Sequence, residues 1–258
     1  MKLSDMSTHI GHWPFRQLAM TTLPQLIKKM DQLNIQRAAV YNTNSIFYRN
    51  SHCGNVELFE QTRNYPEKLY GVATLNPFYI NAQQDIETCR NEFGFKAIRI
   101  VPAYHNYSLN CPESITFAKA AGRLGMTLII PHRIIDVRQR HWLDVEANIE
   151  LDELIVFGKA VANVNIVATE FAIDGSDETV RKLKDVTNIS FDISRLHTLW
   201  PSDLPKLIKE LTNQRFLFAT GMGFKVCQNS MLRLAALKNN KDINHIGEIN
   251  FTKIFCSD

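Results

Sequence analysis

The segment His132-Arg133-Ile134-Ile135-Asp136-Val137-Arg138-Gln139-Arg140-His141 places three arginines, two histidines and an aspartate within ten residues. Guanidinium groups suit two-pronged recognition of a carboxylate or phosphate, so Arg133 and Arg138 are candidates for holding a substrate anion. Histidine is the side chain suited to moving protons near neutral pH, which makes His141 a proton-transfer candidate. Asp136 is placed to orient either Arg133 or His141. The plainer reading of the same ten residues is a solvated loop with local ion pairs.

A second group lies upstream, where Arg99 is followed by Tyr104-His105-Asn106-Tyr107. An arginine pointing into a protein interior needs an anionic partner, because an unpaired buried charge is costly. Glu170, Asp192 or a substrate anion can serve. His105 is either a second proton-transfer candidate or an ordinary loop histidine. Tyr104 and its aromatic neighbours can wall a pocket for a flat substrate. Near the start, Trp13-Pro14-Phe15 reads as hydrophobic cover, and Arg16 as an anion clamp. Five dispersed cysteines without a C-x-x-C pair show no activating partner, so a thiol nucleophile is not expected.

The elements that must position these residues alternate along the chain. Short apolar runs read as strands at Ala38–Tyr41, Tyr70–Leu75, Ala97–Val101, Thr127–Pro131, Ile166–Thr169, Ile189–Ile193 and Phe216–Ala219, with the opening segment as the first. Several are apolar throughout, as expected of parallel strands covered on both faces. Helix-period stretches separate them: Leu23–Leu33, Val56–Asn64, Ala82–Phe93, Ile115–Leu124, Leu151–Val161, Glu178–Val186 and Leu204–Leu211, the last preceded by a Pro201-Ser202 start signal. Met231–Lys238 and Ile243–Phe255 follow. Eight strand–helix units predict one (β/α)8 TIM-barrel domain over residues 1–258. The runner-up, an open doubly wound sheet, fits less well because no glycine-rich phosphate loop is present. In such a barrel the reactive residues gather at the C-terminal ends of the strands.

The 258 residues are 45% hydrophobic and 21% charged, an ordinary globular composition. The net charge of +3 comes with no basic run, which argues against nucleic acid as a partner. No apolar run approaches a membrane span, and no secretory leader is visible. The dispersed cysteines read as free thiols, so a cytoplasmic protein is expected. The expected partner is a small anionic molecule, and a homo-oligomer is compatible with the sequence.

The opening Asp5-Met6-Ser7-Thr8-His9-Ile10-Gly11-His12-Trp13-Pro14-Phe15-Arg16 resembles the first-strand motif of the amidohydrolase superfamily, Asp-x-His-x-His. Tyr65-Pro66-Glu67-Lys68-Leu69-Tyr70-Gly71, Gly94-Phe95-Lys96-Ala97-Ile98-Arg99, Leu124-Gly125-Met126-Thr127, Phe191-Asp192-Ile193-Ser194 and Gly247-Glu248-Ile249-Asn250 are similar to later landmarks, in order. The resemblance implies a metal-dependent barrel hydrolase or decarboxylase. It also implies a metal site that is incomplete here: Ser7 replaces the first histidine, His9 matches the second, His132 falls within a residue of the fifth-strand histidine, and Glu170 or Thr169 stands at the sixth. Gly221 stands where the family has an aspartate that takes a proton from metal-bound water. Three ligands, His9, His132 and Glu170, would leave an open position on one divalent ion, zinc by preference. The alternative is a metal-free barrel in which Glu170 pairs with an arginine. His12 is a substitute ligand if its loop folds back, and His52, His197 and His245 read as structural or surface residues. Asp192, at the end of the seventh strand, joins His105, His141 and Asp136 as a catalytic candidate. Two function classes follow: an enzyme hydrolysing or decarboxylating a small carboxylated, cyclic compound, or a degenerate barrel that binds an anionic metabolite without turnover.

Overall fold

The computed structural model describes residues 2–195 and 203–256. Eight parallel strands pair in sequence order: β1 (Leu3–Ile10), β2 (Ile35–Asn42), β3 (Leu69–Thr74), β4 (Ala97–Arg99), β5 (Thr127–Pro131), β6 (Ile166–Thr169), β7 (Ile189–Asp192) and β8 (Phe216–Leu217). The barrel closes between its last and first strands. Met6 donates its N–H to the Phe218 carbonyl at 2.9 Å, His9 to Met222 at 2.9 Å, and Met222 returns a bond to Ser7 at 3.2 Å. Asp5 clamps this seam: its carboxylate accepts from the backbone N–H groups of Ser7 and Thr220, both at 3.0 Å, and from the Thr220 hydroxyl.

Strand side chains alternate between two faces, and here both are covered. Ala39, Tyr41, Val72, Ala97, Ile129, Val167, Leu217 and Ala219 fill the barrel interior. Val40, Ile98, Ile100, Leu128, Ile130, Ile166 and Ala168 face the helical ring. The helices following the strands include α1 (Leu23–Gln32), α2 (Ser51–Thr62), α3 (Ala82–Asn91), α4 (Pro102–His105), α5 (Pro112–Arg123), α6 (Leu151–Ala160), α7 (Asp177–Lys184), α8 (Asp203–Leu211) and α9 (Gln228–Ala235). The α1 start is tied by the Gln25 side chain, which accepts from the Thr21 and Thr22 N–H groups. The α5 helix begins three residues earlier than its apolar periodicity suggests, because Pro112 pre-sets the first turn.

The C-terminal helical run does more than complete the ring. α10 (Asn240–Asn244), a π-turn over His245–Ile249 and α11 (Asn250–Phe255) are continuous, and Phe251 and Phe255 plug the end of the barrel at which the strands begin. Asn250 donates to the carbonyls of Asn213 and Phe216, both at 2.8 Å, and so fixes this helix to β8. The opposite end, where the strands finish, is therefore the only end left for a site among the described residues. No helix among them is long and apolar enough to cross a membrane. Pro201, Ser202 and His197 lie outside the described residues.

Candidate active site

The strand ends meet in a cavity lined by Ser7, His9, Tyr41, Arg99, Pro131, Arg133, Ile134, Thr169, Glu170, Gly221 and Phe224. Its volume is about 10 Å3, which is room for about one water molecule. Arg99 comes from the end of β4, on the same face as Ala97, and is only 2% exposed. Its guanidinium lies 4.6 Å from the centre of the Tyr41 ring. Nε and Nη2 donate to the Thr74 hydroxyl at 3.3 and 3.1 Å, and Nη2 reaches the Asn42 carbonyl at 3.4 Å. Every one of these partners is neutral. Among the described residues no carboxylate lies in ion-pair contact with Arg99. Burial pulls its pKa down to about 10, yet it stays charged at neutral pH.

His9 stacks on Tyr41, with ring centroids 5.2 Å apart, and meets the edge of Phe224 at 5.0 Å. Its Nδ1 lies 3.3 Å from the Met222 carbonyl. A carbonyl can only accept, so Nδ1 carries the proton and Nε2 keeps a lone pair. Burial, then the neighbouring charge of Arg99, pushes the His9 pKa down to about 3, so the ring is neutral. Gly223 makes this seat possible. It has φ +106°, and a Cβ there would stand 3.1 Å from the His9 Cβ.

On the opposite wall Glu170 adopts φ +66°, a strained conformation for a residue with a side chain. Its carboxylate is held by the Lys225 ammonium and by the Ser194 hydroxyl at 2.9 Å. The same hydroxyl lies 3.0 and 3.1 Å from the two oxygens of Asp192. Asp192 is fully buried, and burial followed by the nearby Glu170 charge pushes its pKa up to about 7. Gly221 lines the wall beside this pair with φ +66°, a conformation that favours glycine. A Cβ there would approach the Lys225 Cδ to 2.8 Å and the Glu170 Oε1 to 3.3 Å. Lys225, Ser194 and Tyr41 escaped the sequence reading; the one available signal was the need of Glu170 for a cationic neighbour, and the expected partner was an arginine.

The expected metal triad does not assemble. His132 follows Pro131 by one residue, and one residue reverses the face of a strand. Pro131 lines the cavity, while His132 packs beside Phe171 and hydrogen-bonds the Ile149 carbonyl through Nδ1 at 2.7 Å. Both Glu170 oxygens are engaged by Lys225 and Ser194, which leaves His9 alone. Among the described residues no group of three or more His, Cys, Asp or Glu is arranged to hold a metal ion. The donor set therefore does not fit zinc or another divalent ion, and His12 is exposed rather than folded back as a ligand.

The arginine and histidine segment after β5 divides. Arg133 lines the cavity, gives one hydrogen bond to Asp136 at 3.1 Å, and has a buried Nε with no partner. Arg138 was expected at the anion. Instead it lies in solvent, with a side chain 86% exposed and paired with Asp136. Hydrogen bonds from Arg138 hold the Asp136 carboxyl well below the usual carboxylate range, so it braces arginines rather than transferring protons. His141 also sits on the outer loop, stacked on Phe15 with centroids 6.1 Å apart, and its Nδ1 accepts from the Leu143 N–H. His105 is tied through Nε2 to the Ile46 carbonyl at 3.1 Å, outside the cavity lining. Tyr104 packs on Trp13 and Phe47 and donates to Asp144 at 3.0 Å, joining the aromatic cover above the mouth. Arg16 borders a separate outer groove between His12 and Gln25. Of the expected residues, the structure brings together His9, Arg99, Arg133, Glu170 and Asp192.

No family model matches the chain, and no curated protein matches it in sequence. Solved structures do match in shape. A 5-carboxyvanillate decarboxylase from Sphingomonas paucimobilis superposes with a TM-score of 0.76 at 11% identity, over 100% of this chain and 99% of its own. A 2,6-dihydroxybenzoate decarboxylase from Rhizobium gives 0.74 at 14% identity, over 99% and 98%. A dihydroxybenzoic acid decarboxylase from Polaromonas, with bound manganese and the inhibitor 2-nitroresorcinol, gives 0.74 at 14%, over 99% and 97%. The chain thus has the barrel fold of these decarboxylases.

Proposed function

We propose that this chain binds a small aromatic carboxylate at the mouth of the barrel and acts on it by proton transfer, in the manner of a decarboxylase. The observation that carries this is Arg99, a buried guanidinium whose partners among the described residues are all neutral. A protein that keeps such a charge gives up stability for it, and a bound carboxylate would supply the missing partner. Arg133, on the adjacent strand–loop unit, has a buried Nε free to join it. The fold neighbours named above act on carboxylated aromatic acids, which supports the ligand class.

Decarboxylation suits the remaining groups better than hydrolysis. Losing CO2 from an aryl acid requires a proton for the ring carbon, and Asp192 holds one near neutral pH. Hydrolysis requires an activated water, and the strand-eight position that would serve it is Gly221. The cavity holds about one water, so the β5–α6 loop carrying Ile134, together with Phe224, must shift to admit the carboxylate and its ring. A second reading, binding without turnover, is favoured by the lack of any group of three or more metal-ligating side chains among the described residues.

Incubation with 2,6-dihydroxybenzoate in D2O, followed by NMR, separates the two. Release of CO2 with deuterium at the vacated carbon supports the enzyme. Saturable binding of benzoate over benzamide without turnover leaves the binding protein. Equal, weak binding of both compounds would falsify the carboxylate site.

A further inference from the structure

The contacts of Ser194 count protons. Its hydroxyl oxygen lies within hydrogen-bond distance of Glu170 Oε1 and of both Asp192 oxygens, at 2.9, 3.0 and 3.1 Å. A hydroxyl carries one hydrogen and can satisfy only one carboxylate. With both carboxyls ionised, the other oxygen–oxygen approach would be bare repulsion inside a buried site. A second proton on one of the carboxyls removes the conflict. The surroundings say which one carries it. Glu170 faces the Lys225 ammonium and is the ionised member. Asp192 Oδ1 already accepts from the Glu170 and Ser194 N–H groups, at 3.2 and 3.3 Å, leaving Oδ2 as the acid oxygen.

We propose that Asp192, Ser194 and Glu170 form a proton relay, in which Asp192 is a neutral carboxylic acid that feeds its proton through Ser194 to Glu170 at the cavity wall. The Asp192 Oδ2–H bond breaks as its proton passes to the Ser194 oxygen. The Ser194 O–H bond breaks as its own proton passes to Glu170 Oε1. Glu170 then releases a proton to the basic atom of the bound compound, and Asp192 is left as the carboxylate. One proton moves in all, and no electrons are exchanged. The strained backbone of Glu170 serves this geometry, since it turns the carboxylate toward both Ser194 and the cavity.

The charged groups around Asp192 come from four elements. Glu170 follows β6 and Lys225 follows β8. Arg233 of α9 donates to the carbonyls of Ile193 and Ser194, both at 2.7 Å, and Arg195 donates to the Glu170 carbonyl at 3.1 Å. The neutral Tyr41 faces Asp192 from across the barrel. The relay rests on the carboxylate reading only for the identity of its final acceptor.

Infrared spectra of the ligand-free protein near neutral pH test the relay without any substrate. The wild type should show the carbonyl stretch of a protonated carboxyl. Asp192→Asn should lose that band, and Ser194→Ala should keep it at a raised frequency, because the acid loses its hydrogen-bond acceptor. Absence of the band in the wild type, its survival in Asp192→Asn, or an unmoved band in Ser194→Ala would overturn the relay. A benzoate titration on the same samples separates the two proposals. The band present without benzoate binding upholds the relay and removes the carboxylate reading; benzoate binding without the band does the reverse.

Discussion

At the scale of the residue, the site is organised by two cations treated in opposite ways. Lys225 is neutralised by Glu170, while Arg99 rests on a hydroxyl, a carbonyl and an aromatic face. Asp192 gives this scale a pH signature. Its pKa is raised, so the folded chain holds a proton that the unfolded chain releases. The associated stability is complete below the ordinary carboxylate value and is lost as pH rises toward 7. Asp192→Asn cannot ionise. Its melting temperature relative to the wild type should therefore climb by several degrees between about pH 4 and pH 7, as read by calorimetry. A constant difference across that range would mean that Asp192 is ionised throughout. Asp136 runs the other way: Arg138 holds it low, and its contribution is lost only in strong acid.

At the scale of the element, the register of a single strand decides which histidine matters. His9 ends β1 facing inward, and His132 follows β5 facing the helices. His132→Ala should leave benzoate affinity within about twofold, while costing roughly 1 kcal/mol of stability for its lost hydrogen bond. A tenfold loss of affinity would place the ring in the site after all. The segment between β5 and α6 covers the mouth and is latched by the Tyr104–Asp144 hydrogen bond. Tyr104→Phe removes that latch at a cost of about 1 kcal/mol. It should speed benzoate association in stopped-flow measurements while leaving the cavity groups in place; an unchanged or slower rate would show that this segment does not gate entry.

Much of the element scale was legible in the sequence, and the reason is periodicity. Runs such as residues 128–131 in β5 and 166–168 in β6 are continuously apolar, as parallel strands covered on both faces require. His9 and Glu170 were singled out by the resemblance and Arg99 by its place at the exit of β4, and all three line the cavity at the strand ends. His132, Arg138 and His141 were misplaced as site residues for two different reasons. A motif match one residue out of register exchanges inside for outside, and a loop has no period from which to read a direction. Lys225 was missed because it lies on such a loop, in a tight turn that only the glycines at 221 and 223 permit.

At the scale of the whole molecule, the barrel is a ring whose closure depends on Asp5, which joins β1 to the segment after β8 with two hydrogen bonds from Thr220 and holds its own strand with a third from Ser7. Asp5→Ala should cost about 3 kcal/mol and lower the melting temperature by roughly 10 °C; a shift of a degree or two would show that the seam closes without it. The same ring excludes water from Arg99 and so makes an unpaired charge both expensive and useful. Replacing Arg99 by methionine keeps the bulk and removes the charge. Calorimetric titration of benzoate into wild type and Arg99→Met, alongside their melting temperatures, sets these two effects against each other. Affinity should fall by at least about tenfold, the loss of one charge-assisted contact, while the melting temperature holds or rises. Undiminished benzoate affinity in Arg99→Met would contradict the carboxylate site.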